Sequence, residues 1–249
     1  MAKHNKWSKV KHRKAVVDKR RGKVWTKISK ALMVAARNGG PDPDTNLTLR
    51  YAMDEARYAN MPRDTVERAI QKGAGGGDTS NFEAVRYEGY APGGIAIVVD
   101  ALTDNRTRTI TLVRTAFTEN DANIGASGCV AHMFQFSGQI LIEGANLCDE
   151  QIIEAALEAG ARDVRSPDPM PDADEEGQWI VLTDVPHFNV VKEALERAKF
   201  PIAEASLAMV PDALVVVGGE NAQTVVDLIE ALEDIDDVQK VYTNAELVE

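Results

Sequence analysis

Five polar residues crowd one short stretch of the chain: Asp100, Asp104, Asn105, Arg106 and Arg108. They stand where a predicted strand ends and a predicted helix begins. Two carboxylates there could hold a magnesium ion for phosphoryl chemistry, although no third carboxylate or nucleophile stands at a motif spacing. The same residues also fit capping of the helix by Asp104 with surface arginines, or a second polyanion contact through Arg106 and Arg108. The sequence leaves these three interpretations open.

No other constellation suggests catalysis. The chain lacks Gly-x-Ser-x-Gly, His-Glu-x-x-His and Cys-x-x-Cys, and its four histidines are scattered. Cys129 and Cys148 lack metal-ligand spacing and are predicted to be reduced thiols of a cytoplasmic protein. No apolar run approaches the ~20 residues that span a bilayer. We therefore predict no enzyme activity, metal, cofactor, small-molecule substrate or membrane partner, and nothing implies an oligomer.

The first thirty residues carry nine lysines and three arginines against one acid, Asp18. This arm has a net charge of +11 in a protein of net charge −11, so the remaining 219 residues sum to −22. A dense positive end on an acidic body predicts a polyanion partner that the body repels. A solvated terminus and a transit peptide are the alternatives, and the excess of Lys over Arg and Ser argues against the second.

Aromatic rings are interleaved with these charges, so stacking on bases can accompany contacts to phosphates. The predicted nucleic-acid-binding residues are Lys3, His4, Lys6, Trp7, Lys9, Lys11, His12, Arg13, Lys14, Lys19, Arg20, Arg21, Lys23 and Lys27.

Three helices are predicted behind the arm. Val24, Ile28, Leu32 and Ala35 form one apolar stripe of the first helix, which leaves Lys23, Lys27 and Lys30 off that stripe. Gly39-Gly40 should end this helix. The second should begin at Asn46, a good N-cap, and the third at Pro62, with Lys72-Gly73 at its end. The following Ala74–Asp78 has the composition of a flexible linker, because a phosphate-binding loop would need a preceding strand and a following Lys-Ser or Lys-Thr.

From residue 82 onward the pattern becomes mixed α and β. Four strand–helix–strand units follow, and four such units pair into two ferredoxin-like βαββαβ domains. The units could run sequentially, or the middle two could be inserted between the outer two. The short junctions at Ser137-Gly138 and Val210-Pro211 favour insertion. Within the first unit we predict a strand over Cys129–Phe136. The acidic stretch Ser166–Gly177 should be an exposed loop.

With these segments placed, the sequence closely resembles the YebC family, whose members are usually described as transcriptional regulators and include the mitochondrial translational activator of cytochrome oxidase. Several blocks in order carry the resemblance: Met1-Ala2-x-His4-x-Lys6-Trp7, Lys11-His12-Arg13-Lys14, Gly39-Gly40 through Asn46, Asn60-Met61-Pro62, Lys72-Gly73-Ala74-Gly75-Gly76-Gly77, Tyr87-Glu88-Gly89-Tyr90-Ala91-Pro92-Gly93-Gly94 and Thr103-Asp104-Asn105-Arg106. The chain departs at Lys3, Asn5 and Ser127, where the family usually has Gly, Ser and Asp. Any role of that Asp is not carried over.

The resemblance implies an α+β fold with an N-terminal three-helix domain followed by two ferredoxin-like α/β domains, the third inserted into the second. The expected domains are residues 1–77, residues 78–136 together with 210–249, and residues 137–209. It also implies a protein without enzymatic activity. The family has been described both as DNA-binding regulators and as ribosome-associated factors that assist peptide-bond formation at proline-rich stretches.

The charge distribution favours a ribosomal RNA partner over duplex DNA. A protein that reads duplex DNA usually spreads basic charge over a broad face and presents a recognition helix. Here the surplus lies at one end, because residues 31–75 carry six basic and six acidic side chains. We therefore expect a translation factor, with a DNA-binding transcriptional regulator as the alternative and a metal-dependent phosphoryl-transfer enzyme as a remote one.

Overall fold

The computed structural model describes the backbone of residues 17–75, 82–144, 149–167 and 178–248. The fold is α+β, with helices first and two sheet-containing domains after them. The described chain separates into two compact units. One comprises residues 136–210, and the other comprises the chain before and after it. The helical region and the first sheet therefore belong to a single unit, and the division into three domains stays a prediction.

The helical region consists of α1 (Val17–Gly39), α2 (Leu47–Tyr58) and α3 (Arg63–Ala74). Its core includes Ile28, Leu32 and Ala35 of the predicted apolar stripe of α1, whereas Val24 is 42% exposed. Asn46 caps α2 as predicted, since its side chain accepts the main-chain N–H of Leu49 at 3.1 Å. Pro62 is the N-cap of α3 instead of its first helical residue. Gly73 packs against the main chain of Met33, which leaves no room for a side chain.

The second domain begins with β1 (Glu83–Ala91), β2 (Ile95–Thr103), α4 (Arg106–Glu119) and the short β3 (Asn123–Ile124). After the inserted segment it continues with β8 (Val215–Val217), α7 (Gly219–Glu233), β9 (Val238–Thr243) and β10 (Ala245–Leu247). Its sheet has the order β3-β1-β2-β9. Residues of β2, α4, α7 and β9 form one buried core, with Phe117, Ile97 and Leu228 fully enclosed.

The inserted domain contains β4 (Phe134–Glu143), α5 (Asp149–Glu158), β5 (Asp163–Arg165), β6 (Gln178–Thr183), α6 (Phe188–Arg197) and β7 (Ile202–Pro211). Its sheet order is β5-β6-β4-β7. This is the ferredoxin-like arrangement, with the first and third strands in the centre and the second and fourth at the edges. In the second domain, β1 occupies the central position that the third strand has in a ferredoxin-like sheet, next to β2. The strand before α7, β8, lies outside this sheet and pairs in parallel with β10.

The predicted strand over Cys129–Phe136 is wrong for residues 129–133 and correct for residues 134–136. Residues 127–130 form a turn, a single 3-10 turn follows at Ala131–Met133, and β4 begins at Phe134. The cause is Glu88, whose buried carboxylate accepts the main-chain N–H groups of Gly128, Val130 and Ala131 at 2.8 to 2.9 Å. Those N–H groups are therefore unavailable to a neighbouring strand.

The two passages of the chain into and out of the inserted segment lie side by side. The main-chain N–H of Asp212 donates to the carbonyl of Met133 at 3.0 Å. Close ends are what an insertion requires. The predicted junction at Ser137-Gly138 nevertheless falls inside β4, a continuous strand that runs into the inserted sheet.

Candidate nucleic-acid interface

Most of the predicted nucleic-acid contacts fall outside the described side chains. These residues are Lys3, His4, Lys6, Trp7, Lys9, Lys11, His12, Arg13, Lys14, Lys19, Arg20 and Arg21. The predicted linker from residue 76 and most of the acidic stretch Ser166–Gly177 also lie outside the described residues. The contacts whose side chains are described are Lys23 and Lys27 on α1, and Arg106 and Arg108 on α4.

The lysines of α1 contact residues 233–237, which comprise the last residue of α7 and the four residues after it. We call this segment the acidic turn. Lys23 donates to the Asp234 carboxylate at 2.9 Å. Lys27 donates to the main-chain carbonyl of Glu233 at 2.7 Å. The carbonyls at a helix C-terminus lack helical partners and carry partial negative charge, so cations there are favourable. Lys23 and Lys27, which the sequence predicts to bind nucleic acid, are therefore engaged by the protein itself.

Three residues further along α1, Lys30 continues the same contact. Its ammonium donates to the carbonyl of Asp236 at 2.9 Å and to the Asp237 carboxylate at 3.1 Å. Lys23, Lys27 and Lys30 follow the spacing i, i+4 and i+7, which places them on one side of the helix. A further ion pair joins the helical region to the sheet, between Glu55 on α2 and Lys240 on β9.

Asp237 is the centre of this contact and is almost fully buried. Arg108 donates to its carboxylate at 2.6 Å and Thr109 at 2.8 Å, in addition to Lys30. Burial alone would raise the pKa of Asp237, but these hydrogen bonds outweigh burial and hold the pKa below its usual value. Cations of two helices, α1 and α4, thus meet on one carboxylate.

Arg108 is correspondingly a structural residue. Its hydrogen bonds to Asp237 and to Asp104, at 2.6 and 2.7 Å, raise the pKa of its guanidinium. Asp104 therefore binds Arg108 and does not cap α4. The cap is Asn105, whose side chain accepts the main-chain N–H of Arg108 at 3.0 Å. Arg106, in contrast, has only a 3.6 Å ion pair with the exposed Glu83.

The carboxylates of the suggested magnesium site already have cationic partners. Arg86 binds Asp100 through two hydrogen bonds of 2.6 and 2.8 Å, and its hydrogen bond to Asp100 raises the pKa of the Arg86 guanidinium. Asp104 is bound by Arg108. Across the described residues, no three His, Cys, Asp or Glu side chains are grouped so that they could hold a metal. This arrangement is that of ion pairs between elements, so it does not support the phosphoryl-transfer hypothesis.

Comparison with known proteins decides the family. A family model described as the TACO1/YebC protein N-terminal domain matches residues 5–76, and one described as the TACO1/YebC second and third domain matches residues 82–245. The chain belongs to the TACO1/YebC family. The resemblance inferred from its motifs is confirmed.

Individual relatives of this TACO1/YebC chain match it from end to end. Proteins named "Probable transcriptional regulatory protein" from Burkholderia mallei (strain SAVP1) and from Burkholderia pseudomallei (strain K96243) are each 49% identical over 249 residues, 100% of both chains. The crystal structure of a conserved hypothetical protein, Aq1575 from Aquifex aeolicus, is 44% identical, with a TM-score of 0.85 over 98% of this chain and 97% of that one. The described helices include none with the length and apolarity needed to cross a membrane.

The sequence analysis of this TACO1/YebC chain did not single out Asp237, or Arg114, which is an exposed residue of α4. Asp237 is the last acid of a run that begins at Glu233, and nothing in that run marks it as the buried one. The sequence does indicate that Arg114 lacks an ion-pair partner within its own helix, because the positions three and four residues on either side of it hold no acid. Its exposure could be found only in the structure.

Proposed function

We propose that this TACO1/YebC protein is a non-enzymatic regulator of gene expression that binds nucleic acid through its basic arm, and that its partner is ribosomal RNA in the cytoplasm. The observation that carries the proposal is the division of charge: twelve cations in the first thirty residues against a body of −22. Phosphate attracts the arm and repels the body, so the arm is the part that approaches a polyanion.

The contacts of α1 refine which residues bind. Lys23 and Lys27 are engaged by the acidic turn, so the proposal places the nucleic-acid contacts on the residues before them, from Lys3 to Arg21. The lysines of α1 then anchor the base of the arm to the body. A polyanion would have to displace the acidic turn before it could bind Lys23 or Lys27.

The finer proposal is a ribosome-associated factor that relieves stalling at proline-rich sequences. A short cationic segment with interleaved rings suits single-stranded or irregular RNA, where bases can stack on Trp7 and His12. A DNA-binding transcriptional regulator is the second candidate, and the names of the Burkholderia relatives favour it.

The deciding experiment compares both targets. For the ribosomal hypothesis, the protein should sediment with ribosomes at low salt and dissociate as salt rises. Trp7→Ala and His12→Ala should each weaken that association by ~1–3 kcal/mol. Ribosome profiling of a deletion strain should show pauses at proline-rich codons. Unchanged pausing, together with a preference of roughly 10³-fold for one DNA duplex over scrambled sequence, would instead establish the transcriptional role.

A further inference from the structure

The outward face of α4 is basic and otherwise neutral. Arg106 and Arg114 are exposed, and Glu119 in the last turn is the single acid of this helix. The other exposed positions of the face are mostly threonines: Thr107, Thr111, Thr115 and Thr118. This composition is unusual for a chain with 39 acidic and 28 basic residues.

The side chain of Arg114 has no partner among the described residues. Among the arginines whose side chains the structure describes, only the Arg114 guanidinium forms no hydrogen bond or ion pair. Other helical arginines show the ordinary arrangement, in which an acid three or four residues away pairs with the guanidinium, as Glu67 does with Arg63. Arg106 is nearly as available, because its ion pair with Glu83 is long and both side chains are more than half exposed.

The neighbouring helix of the same layer has the opposite charge. α7 packs beside α4 and carries four acids and no base: Glu220, Asp227, Glu230 and Glu233. The basic face of α4 is therefore a local feature of one helix and does not follow from the composition of the domain.

The threonines between the arginines are uncharged, so they neither pair with the arginines nor repel an anion. The hydroxyls of Thr111, Thr115 and Thr118 donate to main-chain carbonyls one turn earlier, at 2.7 to 3.0 Å. Their protons are thus engaged within the helix, and no carboxylate between the arginines repels a phosphate. Arg106 and Arg114 lie eight residues apart, which is about 12 Å along the helix axis, so they can contact separate phosphates.

We propose that the outward face of α4 is a second RNA contact, in which Arg106 and Arg114 bind the phosphate backbone of the RNA held by the basic arm; this inference rests on the proposed function. Contacts of this kind position a nucleic acid without reading its sequence. Two exposed arginines bind weakly alone, but covalent linkage to the arm makes the second contact intramolecular and raises its effective concentration. Arg108 takes no part, because it is held by Asp237.

The test is a salt titration of binding to a 30-nucleotide RNA of mixed sequence, with the full-length protein. The variant Arg106→Gln/Arg114→Gln should bind roughly 10-fold more weakly at moderate salt, and the slope of log K against log salt should fall by about 1.4 to 1.8, corresponding to two lost phosphate contacts. The matched control is Arg63→Gln/Arg68→Gln on α3, which removes the same charge from another exposed helix. Its slope should equal that of the wild type.

The outcomes separate this inference from the proposed function. Wild-type protein that binds no RNA would refute the proposed function itself. Binding with equal slopes for the wild type and the α4 variant, or an equal fall in both variants, would overturn the α4 contact and leave the arm's role standing. Poly-glutamate that displaces the RNA from the wild type but not from the α4 variant would indicate that the face binds an acidic protein. That outcome would overturn the proposed RNA contact.

A second measurement reports position independently of affinity. A benzophenone side chain at Thr111 on α4 should crosslink to bound RNA, whereas the same group at the exposed Gln223 on α7 should not. RNA attached from neither position while the arm remains bound would contradict the proposal. Attachment to a DNA of the same sequence with equal yield would show that the site binds phosphodiester backbones generally and would overturn its assignment to RNA.

Discussion

The helices α1 and α4 are both rich in cations, yet the structure uses them differently. Lys23, Lys27 and Lys30 of α1 all end on the acidic turn. Of the arginines of α4, Arg108 reaches the same turn, while Arg114 faces solvent. The two helices meet at Asp237, where each contributes one cation.

A count of charges therefore does not identify which cations are available to a partner. The body is acidic, so it can neutralise its own lysines wherever geometry brings them to an acid. The described lysines of α1 anchor the helical region, and the free cations lie elsewhere. Four predictions test this division, beginning with the largest expected effect.

Reversing Lys11, Arg13 and Lys14 to Glu should abolish nucleic-acid binding and leave the fold intact. The body of −22 repels phosphate, so α4 alone cannot hold RNA. We expect a loss of more than about 100-fold at moderate salt, measured by fluorescence anisotropy, with an unchanged circular dichroism spectrum. Retained binding would mean that the principal contact lies outside the basic arm.

Arg108→Ala should lower the free energy of unfolding by about 3 kcal/mol, because it removes one partner from a buried carboxylate. Arg114→Ala on the same helix should change it by less than about 0.5 kcal/mol, since no contact is lost. Urea denaturation measures both. Equal effects would erase the distinction between the structural and the exposed arginine.

Stability should fall in acid partly through Asp237. Its folded pKa is depressed, so its contribution is fully present above the unfolded value of about 4 and is lost as pH falls through the folded value. Asp237→Asn should therefore be less stable at neutral pH and show a shallower loss of stability as pH falls below about 4. Asp236→Asn, an exposed neighbour, should keep the wild-type slope. The comparison fails if the two variants give the same pH profile.

Lys27→Gln should lower the free energy of unfolding by about 1 kcal/mol, because a charged donor to the end of α7 is lost. Lys23→Gln should cost less than about 0.5 kcal/mol, since its ion pair with Asp234 is exposed. Thermal unfolding at low and high salt distinguishes them, with the smaller effect vanishing first as salt rises. A larger effect at Lys23 would show that the anchor lies nearer the arm than the structure indicates.

Much of the fold could be predicted from local patterns. The capping residues placed the end of α1, the start of α2 and both ends of α3 within about two residues, and Asn46 caps α2 as its side chain suggests. Those features depend on residues close in sequence. The failure at residues 129–133 has a long-range cause, because Glu88 lies some forty residues away and binds the N–H groups that a strand would need.

The candidate site divides in the same way. Residue types and their spacing were enough to identify the family, most of the helices and strands in their order, and the excess of positive charge before residue 31. Only the tertiary structure decided that Lys23, Lys27 and Arg108 are engaged by the acidic turn while Arg114 is exposed. The reason is that an ion pair depends on distance in space, and the acidic turn lies more than a hundred residues away from these cations along the chain.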